Sequence, residues 1–202
     1  MAISLIVIDD FLTGADEFRA AALRLSYPDR GTEMFPGRNS DQRLALEGLD
    51  QEISRIVGEP LQSHSYPSHG KCRLALAKDD EPGRIHVDPS HWSGILYLSR
   101  PEDCRGGTEF FRHIETGIDR VPEDLDGLAR IGFSSYEEFD RKIMKQDILD
   151  RSKWEPTMTV PMRFNRLILL RPWLFHTAGP GFGDSPENGR LVYLMFFGLV
   201  RR

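Results

Sequence analysis

Arg84-Ile85-His86-Val87-Asp88 is the segment of this chain whose residue types and spacing most directly suggest chemistry. Side chains of an extended strand alternate between faces. The His86 imidazole and the Asp88 carboxylate therefore emerge on one side and can reach a single metal ion. Imidazole with carboxylate and no thiolate suits a borderline divalent ion such as Fe(II). A lone His-x-Asp is weak, because a chain with six histidines and this many aspartates contains one by chance roughly half the time. A surface histidine beside a solvated aspartate would explain it equally well.

His176 strengthens the reading. It follows the apolar run Leu167–Leu170 and could bring a second imidazole from a distant strand. Two histidines and one carboxylate on one face of an ion leave coordination positions open for reactants. The plain alternative is a half-buried histidine at a strand end. Arg190 follows the Asn188-Gly189 turn and opens the last apolar run. A guanidinium entering a buried strand needs an anion, and its fork suits a carboxylate. A dicarboxylate bound to the metal at one end would meet Arg190 at the other. Alternatively Arg190 pairs with Glu187 or Asp184. His91 competes as a ligand if the backbone turns at Pro89. His113 reads as a pocket-rim residue, and His64 and His69 as solvated loop residues. Trp92 and Trp173 flank the two histidine motifs as pocket walls or as packing.

The elements that must position these residues follow from periodicity. Ile3–Ile8 reads as a strand, and Thr13 caps a helix carrying Phe18, Ala22 and Leu25. Tyr27–Ser40 is rich in turn residues. Leu46, Leu49, Ile53, Ile56 and Val57 fall at helical spacing, with Gly58 at the C-terminal position. From residue 71 the period becomes strand-like: Cys72–Ala77, Gly94–Ser99, Leu167–Leu170 and Leu191–Leu199, with all of the third and most of the fourth uniformly apolar as in strands covered on both faces. Gly106-Gly107 suits a bulge or a close backbone approach. Between about Asp119 and Trp154 a helical insertion interrupts the strands. There Ser134 and Ser135 each precede a glutamate by three residues, and Phe139, Ile143 and Ile148 support a helix of about four turns. The pattern predicts an α+β chain with a β-barrel or jelly-roll core.

The chain has 202 residues, enough for one domain with a substantial core. Its 40% hydrophobic and 28% charged residues exclude disorder, collagen and coiled coil as descriptions of the whole. A net charge of −5 argues against nucleic acid and anionic lipid as partners. Two cysteines without CxxC spacing make neither a disulfide framework nor a zinc site. The first apolar run has acidic residues after it and no basic residue before it, which is not a secretory signal. The stretch Leu191–Val200 is half the length of a transmembrane helix. The expected location is the cytoplasm.

Taken in order, several segments resemble the 2-oxoglutarate/Fe(II)-dependent dioxygenases, in particular their prolyl-4-hydroxylase-like branch. They are His86-Val87-Asp88, Gly94-Ile95-Leu96-Tyr97-Leu98-Ser99, Gly106-Gly107-Thr108-Glu109-Phe110, Asn165-Arg166-Leu167 with His176, and Gly189-Arg190. The likeness covers about residues 72–199 of a single domain spanning 1–202. Trp92, the Phe110-Phe111-Arg112-His113 run and Phe35-Pro36-Gly37 further resemble an uncharacterised bacterial subfamily. The resemblance implies a double-stranded β-helix with N-terminal helices. It implies Fe(II) held by His86, Asp88 and His176, and 2-oxoglutarate and O2 as cosubstrates. It also implies Arg190 and Tyr97 on the distal carboxylate of 2-oxoglutarate. The loop from His176 to Arg190 is longer than in compact members, which keeps Arg166 as an alternative anchor. Ser99 stands where asparagine is commoner, a change expected to matter little. The implied activity is hydroxylation of a C–H bond in an amino acid, a peptidyl side chain or a small molecule, with release of succinate and CO2. The Gly31–Ser40 segment and the helical insertion are the expected lids. Rival readings are a cupin-like metalloprotein that does not use 2-oxoglutarate, a non-catalytic β-barrel binding domain, and nucleic-acid repair within the same superfamily.

Overall fold

Leu167–Leu170 shows how the architecture arises. Leu167 and Leu169 enter one apolar cluster and Ile168 and Leu170 another, so the strand is buried on both faces and needs no polar alternation. A computed structural model describes residues 3–29, 35–79 and 84–200. Its elements run β1 (Leu5–Ile8), α1 (Ala15–Leu23), β2 (Arg38–Arg43), α2 (Leu49–Val57), β3 (Leu61–Ser63), β4 (Lys71–Ala75) and β5 (Trp92–Tyr97). They continue as β6 (Gly107–His113), α3 (Leu125–Arg130), α4 (Tyr136–Phe139), β7 (Trp154–Pro161), β8 (Leu167–Leu170), β9 (His176–Ala178) and β10 (Arg190–Leu199). Seven strands form one antiparallel sheet in the order β1-β8-β5-β10-β4-β2, with β3 also paired to β10. Three form a second antiparallel sheet, β7-β6-β9. Two antiparallel sheets with a few helices fulfil the α+β expectation.

Alternation along β10 sorts the apolar residues into layers. Leu191, Tyr193, Met195 and Phe197 face a cluster shared with Ala22 of α1 and Ile53 of α2, so both helices cover one face of the large sheet. Val192 faces the opposite way, with Tyr97, Ile168 and Phe110, into the space between the sheets. A third cluster joins Phe111, Trp154 and Phe175 to Leu128, Phe139 and Ile143, which places the helical insertion on the outer face of the small sheet. Each such side chain contributes about 1.5–3 kcal/mol by leaving water.

Several local expectations need correction. Gly14, not Thr13, is the N-cap of α1, and no side chain caps it; Leu25 lies beyond the helix but still packs on the core. The turn-rich Tyr27–Ser40 stretch ends in strand β2, whose sequence Arg-Asn-Ser-Asp-Gln-Arg hides it. As an edge strand, β2 buries only Ser40. Residues 30–34, which include the first four of the expected lid Gly31–Ser40, lie outside the described residues. The four-turn helix of the insertion is broken. Ser135 caps α4 by accepting from the Glu138 amide, but the chain then widens to a π-helix over Asp140–Gln146 and tightens to 3-10 turns. Gly58 does end α2 in the left-handed conformation. Gly107 is a close approach: a Cβ there would lie 1.9 Å from the Val160 carbonyl oxygen.

Candidate metal centre

Backbone pairing brings the two histidines together. His86 donates its amide to the His176 carbonyl at 2.9 Å and accepts from the His176 amide at 3.1 Å, an isolated antiparallel bridge. Their rings lie 4.4 Å apart. Asp88 is two residues along, its amide fastened to the Pro172 carbonyl at 3.1 Å. His86 Nε2 is 3.6 Å from Asp88 Oδ1, and His176 Nε2 is 3.5 Å from Asp88 Oδ2. One atom from each residue falls within 4.8 Å of the others. The structure thus brings together the three residues read as ligands from the sequence.

The free nitrogens are set by the other side of each ring. His86 Nδ1 is 2.9 Å from the Arg84 carbonyl and His176 Nδ1 is 2.7 Å from the Leu174 carbonyl. A carbonyl only accepts, so both Nδ1 atoms carry the proton and both Nε2 lone pairs are left for an ion. Burial, and then the neighbouring His176, push His86 down to about 4. Burial raises Asp88, but the neighbouring His176, with His86 and Ser93, outweighs it and holds the carboxyl at about 2. Burial opposes a charge on His176, and Asp88 reverses this, leaving His176 raised. Two imidazoles and a carboxylate, held in this way, fit a divalent ion. The His86 side chain is 23% exposed against 4% for His176, so access is from the His86 side.

Arg190 begins β10 and is 2% exposed. Its side chain makes no hydrogen bond or ion pair with the described residues, and its Nε is buried without a partner. Neither expected partner pairs with it: Asp184 accepts from Asn188, and the contact of Glu187 is through its backbone carbonyl, which accepts from Arg19. Burial lowers the Arg190 pKa, opposed by Tyr97 and Glu109 and reinforced by Arg73. Tyr97, fully buried, shares a 2.7 Å hydrogen bond with Thr108. A buried guanidinium without an acceptor fits an anion. Arg166 does not compete, since its Nε and Nη2 bind Asp9 at 2.6 and 3.0 Å.

Other residues fall differently from the sequence reading. His91 turns away from Asp88, its Nε2 lying 2.6 Å from Glu59 in a cluster with Arg171, which stacks over Trp92. Trp92 is core under the helices rather than a pocket wall, and Trp173 packs edge-on to His91. His113 is no rim residue: it is fully buried, with Nε2 3.1 Å from Asp147. His69 is half-buried against the Phe196 backbone. Ser99 matters more than expected, donating to the Gly189 carbonyl and accepting the Leu191 amide, both at 2.9 Å, so that it fixes the turn that launches Arg190. Two participants carried no sequence signal. Arg73 of β4 donates to the carbonyls of Phe35, Pro36 and Gly37 and to Asn39, and Phe35 stacks on His86 at 4.4 Å. Ser93 donates to Asp88.

Solved structures share this fold. HygX from Streptomyces hygroscopicus, solved with nickel and 2-oxoglutarate bound, matches with a TM-score of 0.51 and 15% identity over 98% of this chain and 83% of its own. The non-heme alpha-ketoglutarate-dependent carbocyclase SnoK from nogalamycin biosynthesis matches with a TM-score of 0.54 and 15% identity over 96% and 79%. At such identities the likeness is one of fold. No curated protein matches the sequence. A family profile does match, over residues 2–197, and on that extent the chain belongs to the family of unknown function DUF6445.

Proposed function

We propose that this protein is an Fe(II)- and 2-oxoglutarate-dependent oxygenase that hydroxylates a C–H bond of a small-molecule or peptidyl substrate. The observation that carries the reading is Arg190: a buried, unpartnered guanidinium in the same structure as the His86, Asp88 and His176 cluster. An acid that binds metal at one end and needs a cation at the other answers both features. HygX, solved with iron and with nickel and 2-oxoglutarate, and the alpha-ketoglutarate-dependent SnoK lend support through a shared fold. On this reading the two sheets are the halves of a double-stranded β-helix, and the Tyr97 hydroxyl joins Arg190 at the distal carboxylate, as in the prolyl-4-hydroxylase-like branch.

His86 and His176 would hold the metal through Nε2, with Asp88 completing the face. Bound Fe(II) would activate O2, the oxidant, while 2-oxoglutarate would give up two electrons and become succinate and CO2, so that one oxygen atom ends in succinate and the other in the hydroxylated C–H bond. The protein contributes orientation and dryness. The Leu174 and Arg84 carbonyls fix the tautomers, Arg190 aligns the cosubstrate, and the apolar residues between the sheets exclude water. Phe35, whose carbonyl Arg73 holds, packs its ring 4.4 Å from that of His86, so the Phe35–Gly37 segment would border the approach of a substrate.

Anaerobic titration of the apo-protein with Fe(II) and then 2-oxoglutarate tests the reading. A weak visible charge-transfer band is expected, absent in His176→Ala and requiring at least tenfold more 2-oxoglutarate in Arg190→Ala. Metal binding without the band would refute cosubstrate use, and no metal binding would refute the centre.

A further inference from the structure

We propose that Ser93 makes Asp88 bind metal through one oxygen rather than two, a positioning role that rests on the reading above. Ser93 lies on β5 and is 2% exposed. Its hydroxyl donates to Asp88 Oδ2 at 2.6 Å, a short charge-assisted hydrogen bond. Asp88 Oδ1, facing His86, accepts no hydrogen bond from the described residues. The two carboxylate oxygens are therefore unequal: Oδ2 is tethered and Oδ1 is free.

The tether is itself held. Ser93 has one proton, and Asp88 takes it, so Ser90 must donate in the 2.8 Å contact between the two hydroxyls. The chain Ser90 to Ser93 to Asp88 has one direction, and each bond polarises the next. Turning the carboxylate to present both oxygens would break it while the Asp88 backbone stays tied to Pro172.

The number of ligating atoms decides what the ion can bind. Three protein atoms on a six-coordinate ion leave three positions, two for a chelating 2-oxo acid and one for a diatomic gas. A carboxylate bound through both oxygens would remove the last. Ser93 thus keeps the gas position open without touching metal or cosubstrate.

Nitric oxide, a stable stand-in for O2, reads that position. Wild type, Ser93→Ala, Ser93→Thr and Ser90→Ala are saturated anaerobically with Fe(II) and 2-oxoglutarate, verified by the charge-transfer band, and titrated with nitric oxide while the S = 3/2 electron paramagnetic resonance signal is followed. Ser93→Ala should keep the band but need at least tenfold more nitric oxide, Ser93→Thr should restore uptake to within threefold of wild type, and Ser90→Ala should fall between. A Ser93→Ala protein that keeps the band and takes nitric oxide like wild type overturns the inference and leaves the oxygenase reading intact. A wild type with no band overturns that reading, and this inference with it. Should Ser93→Ala fail to fold, Ser90→Ala decides: unchanged uptake there also overturns the inference.

Discussion

Arg190 is a buried cation with no anion among the described residues, and removing such a charge from water costs several kcal/mol. Replacing it with an apolar side chain of similar length should therefore stabilise the empty protein. We expect Arg190→Met to raise the apo melting temperature by several degrees, about 2–4 °C per kcal/mol for a chain of this size. The same variant should abolish the melting shift that 2-oxoglutarate gives the Fe(II)-loaded wild type. A lower apo melting temperature in Arg190→Met, measured by scanning calorimetry, would mean that the guanidinium already has a partner. Ser99 belongs to the same argument. Its hydroxyl satisfies both the Gly189 carbonyl and the Leu191 amide in a buried turn, so Ser99→Ala should cost about 1–3 kcal/mol and raise the Kd for 2-oxoglutarate several-fold by loosening the start of β10.

Among the elements, the insertion carries the clearest pH dependence. His113, at the end of β6, is buried between Asp147, Glu115 and Lys142; burial lowers its pKa and Asp147 opposes this without prevailing. In the unfolded chain a histidine titrates near 6.5. Above that value the imidazole is neutral in both states and its contribution to stability is complete. As the pH falls below it, the unfolded state takes the proton first and stability declines. The slope of apo-protein stability between pH 7 and 5 should thus be shallower in His113→Gln, whatever that change costs at neutral pH. An unaltered slope in urea titrations would assign the acid sensitivity elsewhere. The insertion also shows where helical spacing misleads. Phe139 and Ile143 are both buried as their spacing suggests, in one cluster with Trp154 and Phe175, yet the turn between them widens into a π-helix that periodicity does not signal.

At the scale of the molecule, three apolar layers enclose two sheets, and the candidate centre lies where β9 meets the His86 segment. No helix of the described residues is long and apolar enough to cross a membrane. Because ligand bound only to the folded state stabilises it by mass action, Fe(II) with 2-oxoglutarate at a hundred times the Kd should add about 2.7 kcal/mol, or roughly 5–10 °C. His176→Ala should show none of this shift, and the same gain in that variant would place metal binding elsewhere. Phe139→Ala, remote from the centre, should lose about 3–5 kcal/mol while keeping the ligand-induced shift in the folded protein.

The sequence alone determined what depends on local geometry. Period two puts His86 and Asp88 on one face; the uniform apolarity of Leu167–Leu170 requires cover on both sides; Gly107 stands where no Cβ fits; Gly58 ends a helix. The tertiary structure decided whatever depends on a partner far along the chain. Arg166 and Arg190 look alike in sequence, and Asp9, 157 residues away, neutralises the one while nothing described neutralises the other. Strand β2 was illegible because an edge strand has little to bury. His91 and His113 were misplaced because Glu59 and Asp147, distant in sequence, hold them. Ser93 was invisible because a serine in an apolar strand acquires its role only when a loop delivers a carboxylate to it. Side-chain alternation is a property of each strand, whereas charge pairing is a property of the packed whole.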